Sequence, residues 1–150
     1  MLVYRITLEK YAHSLIASGN PARWNSKDVK MIYTASTRAL ACLENVVHRS
    51  ALGLQQNFRT MVIEIPDHLF STVIDKEELP ANWHLFQNYP LTQTMGDSWI
   101  QKAETAVLKI PSAIIAEESN YLLNPAHEDF KKIELVRTEP FDFDPRIKIY

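Results

Sequence analysis

The clearest pattern along the chain is a helical one between residues 36 and 49. Apolar residues recur there at steps of three and four, which favours an amphipathic helix with one face on the core. These residues are Ala39, Leu40, Leu43, Val46 and Val47. Ser36 is a suitable N-cap, because its hydroxyl can accept a hydrogen bond from the first turn. The pattern predicts a helix from Ser36 to about Arg49.

Runs of β-branched and aromatic residues predict strands in both halves of the chain. The predicted strands are Leu2–Ile6, Val29–Thr34, Phe58–Ile65, Ala106–Ile110, Ile114–Ile115 and Ile133–Arg137. Residues Phe141–Tyr150 also alternate as a strand does, with an interruption at Pro145.

Two more helices are predicted, one over Glu9–Ala17 and one over Met95–Glu104, while the polar segment Asp67–Pro90 suggests only turns. A chain of 150 residues fits one domain, here residues 1–150. Helices are concentrated in the first half and strands in the second. The predicted fold class is therefore α+β, a single domain with a mostly antiparallel sheet and helices.

Charge and composition narrow the range of functions. The formal net charge is -2, far from the basic surface that a direct nucleic-acid binder needs. A single cysteine and no apolar leader favour the cytoplasm, and no apolar run approaches the roughly 20 residues of a membrane span. The three glycines lie too far apart for a phosphate-binding loop, and the five histidines form no H-x-x-x-H metal motif.

Four sites along the sequence, one of them a run of three residues, carry candidate chemistry, and each also has a structural interpretation. Glu44 borders the apolar stripe of the predicted helix, so it is either a functional carboxylate or a boundary residue that reaches water. Arg23-Trp24-Asn25 could bind a phosphate-bearing ligand with a planar ring, or Trp24 could anchor a loop. Tyr33 could stack on a ligand or fill the core.

Ser112 follows a predicted strand but lacks the G-x-S-x-G context of a hydrolase nucleophile. It is a hydrogen-bonding residue or an ordinary turn serine. Asp142 and Asp144 alternate around an aromatic residue, which is typical of strand positions that face solvent.

Several segments together resemble the RES domain family, named for an arginine, a glutamate and a serine. The likeness runs from about Leu2 to Arg146, and the family often has glycine where this chain has Ala22. The matching segments are Arg23-Trp24-Asn25, Ile32-Tyr33-Thr34-Ala35, Leu40-Ala41-Cys42-Leu43-Glu44, Ile110-Pro111-Ser112-Ala113, Asn120-Tyr121-Leu122-Leu123-Asn124-Pro125 and Phe141-Asp142-Phe143-Asp144-Pro145-Arg146.

The resemblance implies a fold similar to ADP-ribosyltransferase toxins and a bacterial toxin that consumes NAD⁺. Its partner would be an Xre-like antitoxin with a helix-turn-helix domain, so the partner rather than this chain would contact DNA. A homodimer of the toxin within the toxin–antitoxin complex is compatible with the resemblance. NAD⁺ would be the substrate, with no separate cofactor and no metal.

The resemblance also suggests roles for individual residues. Glu44 would stabilise positive charge on the ribose, Arg23 would pair with the pyrophosphate, and Tyr33 would contact the nicotinamide ribose. Ser112 would orient the ligand or Glu44. Additional substrate contacts are expected from Trp24, Arg5 and Asn124.

Three outcomes share these residues. Water or phosphate could accept the ADP-ribose, which would deplete NAD⁺, or a protein side chain could accept it. An inert protein-binding module would keep the same residues only for packing.

Overall fold

Seven strands form one sheet in the computed structural model, which describes residues 1–148. The strands are β1 (Leu2–Leu8), β2 (Ile32–Ala35), β3 (Phe58–Glu64), β4 (Ser71–Val73), β5 (Val107–Pro111), β6 (Ser119–Leu123) and β7 (Glu134–Phe141). The helices are α1 (Arg38–His48) and α2 (Tyr89–Lys102).

The strand order is β4-β5-β6-β2-β1-β3-β7, and every neighbouring pair is antiparallel except β4 with β5. This confirms the predicted α+β class with a mostly antiparallel sheet. The inner pair β1 and β3 runs in continuous register from Leu2 opposite Glu64 to Leu8 opposite Phe58. Val3, Met61 and Ile63 of this pair are fully buried, which explains the strong apolar signal of both predicted strands.

Helix α1 has nearly the predicted bounds but not the predicted orientation. Thr37, rather than the predicted Ser36, is the N-cap, since its hydroxyl accepts a hydrogen bond from Leu40 N at 3.0 Å. Within the predicted core stripe only Leu40 is buried, and Val47 is 53% exposed. The side of α1 that faces the sheet instead carries Asn45, whose amide donates to Ile6 O of β1 at 3.0 Å. The predicted apolar stripe therefore does not coincide with the buried face of α1.

Two elements in the first half of the chain are shorter than predicted. The helix over Glu9–Ala17 is only a 3-10 turn at Glu9–Tyr11. The fold buries Ala12 and Ala17, which are five positions apart and cannot share one helical face. Strand β2 starts at Ile32 rather than Val29, because the preceding residues pack in a second core instead of pairing.

The second half also differs from the prediction in two elements. Helix α2 starts at Tyr89, with Pro90 in its first turn, where proline is well tolerated. The sequence had suggested a turn there and a helix only from Met95. Strand β4 lies inside the middle segment, to which the sequence assigned no strand.

The strand predicted at Ile114–Ile115 is wrong, since these residues lie in the turn between β5 and β6. Strand β6 itself was missed, and β7 continues four residues past the predicted end at Arg137. The alternation after Phe141 does not continue the strand. Phe143 instead packs edge-on against Phe58 with ring centroids 4.9 Å apart. Ile149 and Tyr150 lie outside the described residues.

A second core cluster fixes the loop that carries Arg23. Trp24 packs there against Trp83, and Trp99 of α2 belongs to the same buried cluster. Gly96 of α2 faces the Trp24 backbone, and a Cβ at this glycine would lie 1.8 Å from the Trp24 carbonyl oxygen. Only glycine permits this approach. Within residues 1–148, no helix is long and apolar enough to cross a membrane.

Candidate active site

A cavity of about 640 Å³ opens between α1, the central strands and the loop at residues 21–24. This volume is in the usual range for a small-molecule site. Strands β1 and β2, helix α1 and the β5–β6 hairpin each contribute to its wall. The sequence-predicted residues that line it are Arg5, Arg23, Trp24, Tyr33 and Glu44.

Glu44 is half-buried on the inward side of α1 and is held by two side-chain donors. Its Oε1 accepts a hydrogen bond from Asn120 Nδ2 at 2.7 Å and another from Ser112 Oγ at 3.2 Å. In the part of the chain that the structure describes, no donor binds Oε2. One carboxylate oxygen is therefore fixed while the other is available to a ligand.

Ser112 is fully buried and does not line the cavity. Its Oγ accepts hydrogen bonds from Ile114 N at 3.1 Å and Ile115 N at 3.2 Å. These two donors occupy the lone pairs, so the hydroxyl hydrogen is directed at Glu44. The structure therefore places Ser112 as a contact of Glu44.

Asn120 completes this group and was not singled out from the sequence. It lies on β6, opposite Ala35 of β2 and Ile110 of β5, and it lines the cavity. Asparagine is depleted in strands. An asparagine directly before a run of apolar strand residues was the one available signal.

Arg23 lines another part of the cavity wall, and its guanidinium lies close to two aromatic rings. Its guanidinium carbon is 4.7 Å from the ring centroid of Tyr89 and 5.6 Å from that of Trp83. Nη1 donates to the carbonyl oxygen of His84 at 2.8 Å. These contacts fix the plane of the guanidinium and use one of its five N–H groups, which leaves others for an anionic ligand.

The residues next to Arg23 hold the loop in place. Trp24 is 1% exposed, so it anchors the loop as well as lining the cavity. Asn25 Nδ2 lies within hydrogen-bond distance of three backbone carbonyl oxygens, at 2.8–3.1 Å. Ala22 pairs with Asn25 through its N–H at 3.0 Å and does not have a positive φ. Alanine therefore fits where the family often has glycine.

The Tyr33 hydroxyl is already paired within the protein. It donates to Asn25 Oδ1 at 2.6 Å and accepts from Trp24 N at 3.1 Å. Burial raises the pKa of this phenol above its ordinary value, with the bond from Trp24 acting in the opposite direction. The ring, rather than the hydroxyl, is the part that can contact a ligand.

Arg5 and Asn124 differ in their relation to the cavity. Arg5 lines it and donates from Nη1 to Ile16 O at 3.2 Å, and burial lowers the pKa of its guanidinium. Asn124 is fully buried after β6, where its Oδ1 accepts from Ala126 N at 3.0 Å. The structure does not bring Asn124 into the cavity wall, so a direct substrate contact from it is not supported by this geometry.

The charge of the wall is predominantly positive. Of the lining residues that the structure describes, Glu44 alone carries a carboxylate, whereas Arg5, Arg23 and Arg49 contribute three guanidinium groups. Across residues 1–148, none of these three arginines has a carboxylate oxygen within 4.0 Å. Their positive charges are therefore not neutralised by an ion pair within the described part of the protein. The sequence did not single out Arg49. Uncompensated cations around one fixed carboxylate suit an anionic ligand that develops positive charge beside Glu44.

Fold and site together define a class: an α+β protein with a mostly antiparallel sheet and a cavity that places three arginines around one tethered glutamate. A sequence model described as the RES domain matches residues 2–144. The chain belongs to the RES domain family.

Curated relatives span most of the chain. A "Prs ADP-ribosylating toxin" from Sphingobium sp. (strain YBL2) is 40% identical over 83% of this chain and 79% of its own length. A "Toxin Res" from Yersinia enterocolitica is 33% identical over 99% of this chain and 100% of its own length.

Among solved structures, the M. tuberculosis MbcT–MbcA toxin–antitoxin complex contains a similar chain. The TM-score is 0.76 at 16% identity, covering 97% of this chain and 85% of that one. At this identity the likeness concerns the fold.

Proposed function

We propose that this protein is a toxin that cleaves the nicotinamide–ribose bond of NAD⁺. The observation that carries the proposal is Glu44, which Ser112 and Asn120 hold as the one carboxylate among the described residues of a cavity wall that also carries three arginines. NAD⁺ combines an anionic pyrophosphate with a ribose that becomes positively charged as nicotinamide leaves. The cavity offers groups of the matching charge for both parts.

In the proposed reaction, the bond between ribose C1′ and the nicotinamide nitrogen breaks and its electron pair leaves with nicotinamide. The ribose passes through an oxocarbenium-like state, which a nearby carboxylate stabilises electrostatically. Glu44 Oε2, which no donor binds within the described residues, is the oxygen for this role. A nucleophile then bonds to C1′ and loses a proton.

The remaining residues bind and orient the substrate. Arg23, with its plane fixed by Tyr89 and Trp83, pairs with the pyrophosphate, and Arg5 adds positive charge to the same cavity. The Tyr33 ring stacks on the substrate. This reaction uses NAD⁺ as a substrate and requires neither a metal nor a further cofactor.

A second candidate is transfer of ADP-ribose to a protein. The name of the Sphingobium relative, an ADP-ribosylating toxin, favours this alternative. Both candidates share the bond that breaks and differ only in the acceptor.

Incubation of purified protein with NAD⁺ tests the proposal, with nicotinamide release and ADP-ribose products measured together. Release in buffer indicates water as acceptor, and release that depends on phosphate indicates phosphorolysis. Release only with added protein, with ADP-ribose bound to that protein, indicates a transferase. No nicotinamide in any arm would leave the inert binding module as the better interpretation.

We also propose an antitoxin partner of the Xre-like class, with its helix-turn-helix domain providing DNA contact, and action in the bacterial cytoplasm. The toxin names of the relatives and the toxin–antitoxin title of the similar structure support a partner. Inhibition by occlusion requires contact beside Arg23 and Glu44 over about 1,000 Å² or more. Expression alone should lower NAD⁺ and growth, and co-expression of the antitoxin encoded beside this protein should restore both.

A further inference from the structure

Asn120 makes the shortest hydrogen bond to Glu44 among the described residues. Its Nδ2 lies 2.7 Å from Glu44 Oε1, compared with 3.2 Å for Ser112 Oγ. Both donors bind the same oxygen, and 3.2 Å is long for a hydroxyl donor, whose hydrogen bonds to oxygen are usually about 2.7–2.8 Å. Asn120 is therefore the principal tether of the carboxylate.

The other polar atom of the Asn120 side chain, Oδ1, is buried and makes no hydrogen bond within the described residues. A buried acceptor without a donor lowers stability, and asparagine is also a poor strand former. Local departures of this kind are expected where function determines the residue.

Both tethers bind the same carboxylate oxygen. Rotation of Glu44 about its side-chain bonds would break the contacts of Oε1 to both Asn120 and Ser112, which come from different elements. Oε2 is thereby kept in one place without being occupied itself. A fixed electrostatic group is more effective than a mobile one, because it does not have to reorganise during the reaction.

We infer that Asn120 is a positioning residue that acts through Glu44 in the cleavage of the glycosidic bond. The inference rests on the proposed function. It predicts an effect on kcat with little effect on KM, since Asn120 orients the group that acts in the transition state.

Three variants separate positioning from packing. Asn120→Ala removes the tether, and we expect kcat to fall about 10- to 100-fold with KM within about threefold. Asn120→Asp keeps the shape but replaces the donor by a second carboxylate, so we expect a loss at least as large. If Asn120 only packs, Asn120→Asp should instead keep a nearly normal kcat and Asn120→Ala should show the larger loss.

Ser119→Ala is the matched control, because adjacent strand residues face opposite sides of the sheet. We expect wild-type kinetics for this variant.

Double variants test whether Asn120 acts through Glu44. In Glu44→Gln, adding Asn120→Ala should cause no further loss of kcat, because the charge that Asn120 positions is already absent. The pair Glu44→Gln with Asn120→Asp reverses donor and acceptor. Its melting temperature should exceed that of Asn120→Asp alone, while its activity stays at the level of Glu44→Gln. This comparison remains informative even if Asn120→Asp alone folds poorly.

The outcomes distinguish the inference from the proposed function. If wild type releases no nicotinamide, the proposed function fails. If wild type is active but folded Asn120→Asp keeps normal kcat, the positioning role alone fails. Losses that multiply in the double variant with Glu44→Gln would also overturn it.

Discussion

The two sides of the cavity are built in different ways. On one side, Glu44 is held by side-chain hydrogen bonds from Ser112 and Asn120. On the other side, the Arg23 loop is held through its backbone, since Thr92 Oγ1 donates to Arg23 O at 2.5 Å and Gln93 Nε2 donates to Ala22 O at 2.8 Å.

This difference separates two kinds of sensitivity. A side-chain change on the carboxylate side alters the chemistry while α1 and the sheet keep their backbone contacts. A change where α2 meets the Arg23 loop moves backbone and affects folding and substrate binding together. Variants on the two sides should therefore differ in which measurement responds.

Glu44→Gln should have the largest effect. The substitution keeps size and hydrogen-bonding capacity but removes the negative charge, so we expect kcat for NAD⁺ cleavage to fall by about 10³-fold or more. The melting temperature should stay within a few degrees of wild type. Nicotinamide release and thermal unfolding measured on the same preparation test this. Wild-type turnover in the folded variant would remove Glu44 from the chemistry.

Gly96→Ala should mainly affect folding. The new Cβ would lie 1.8 Å from the Trp24 carbonyl oxygen, so α2 and the Arg23 loop must separate. We expect a loss of about 3 kcal/mol in the free energy of unfolding, measured by urea denaturation.

Gly53→Ala is the matched control for this test. Its Cβ would meet its nearest neighbour, Ser50 Oγ, at 3.4 Å, an ordinary contact. We expect a change below about 0.5 kcal/mol there. Equal stability of the two variants would show that α2 does not fix the loop.

Helix α1 shows what hydrophobic patterning could and could not predict. Its bounds follow from a cap and regular spacing, which are local. Its buried face does not, because patterning assumes that the face toward the protein is apolar. In α1 that face carries the buried Leu40 and Ala41 but also Glu44 and Asn45 at the cavity, and Leu43 and Val47 are left exposed. The cavity beside α1 is thus the reason why the predicted orientation of the helix is wrong.

The candidate site, like α1, was predicted from the sequence only in part. The sequence singled out Arg23, Tyr33, Glu44 and Ser112, and the resemblance suggested their roles. The structure brings the first three to one cavity and places Ser112 against Glu44. Asn120 was missed because its contact with Glu44 spans 76 positions and depends on the position of β6 beneath α1. The local signal, an asparagine directly before a run of apolar residues, does not show what its side chain contacts.

Arg23 substitutions should have an intermediate effect, mainly on KM. Arg23→Ala removes the charge, and Arg23→Lys keeps it but loses the planar fork that binds two phosphate oxygens at once. We expect both variants to raise KM for NAD⁺ at least about tenfold, measured by initial rates over a range of NAD⁺ concentrations. A mild effect of lysine beside a severe effect of alanine would indicate that charge alone matters. Unchanged kinetics in both would make Arg23 a structural residue.

Tyr33→Phe should have the smallest effect and should appear in stability. Loss of the hydroxyl leaves Trp24 N–H and Asn25 Oδ1 without their partner, which costs about 1–3 kcal/mol in the free energy of unfolding. The ring remains at the cavity, so KM for NAD⁺ should change less than about threefold. Tyr11→Phe is the matched control, because that tyrosine is 59% exposed and its hydroxyl has no bond among the described residues. If Tyr33→Phe instead raises KM more than tenfold at unchanged stability, the hydroxyl must leave Asn25 to bind the substrate.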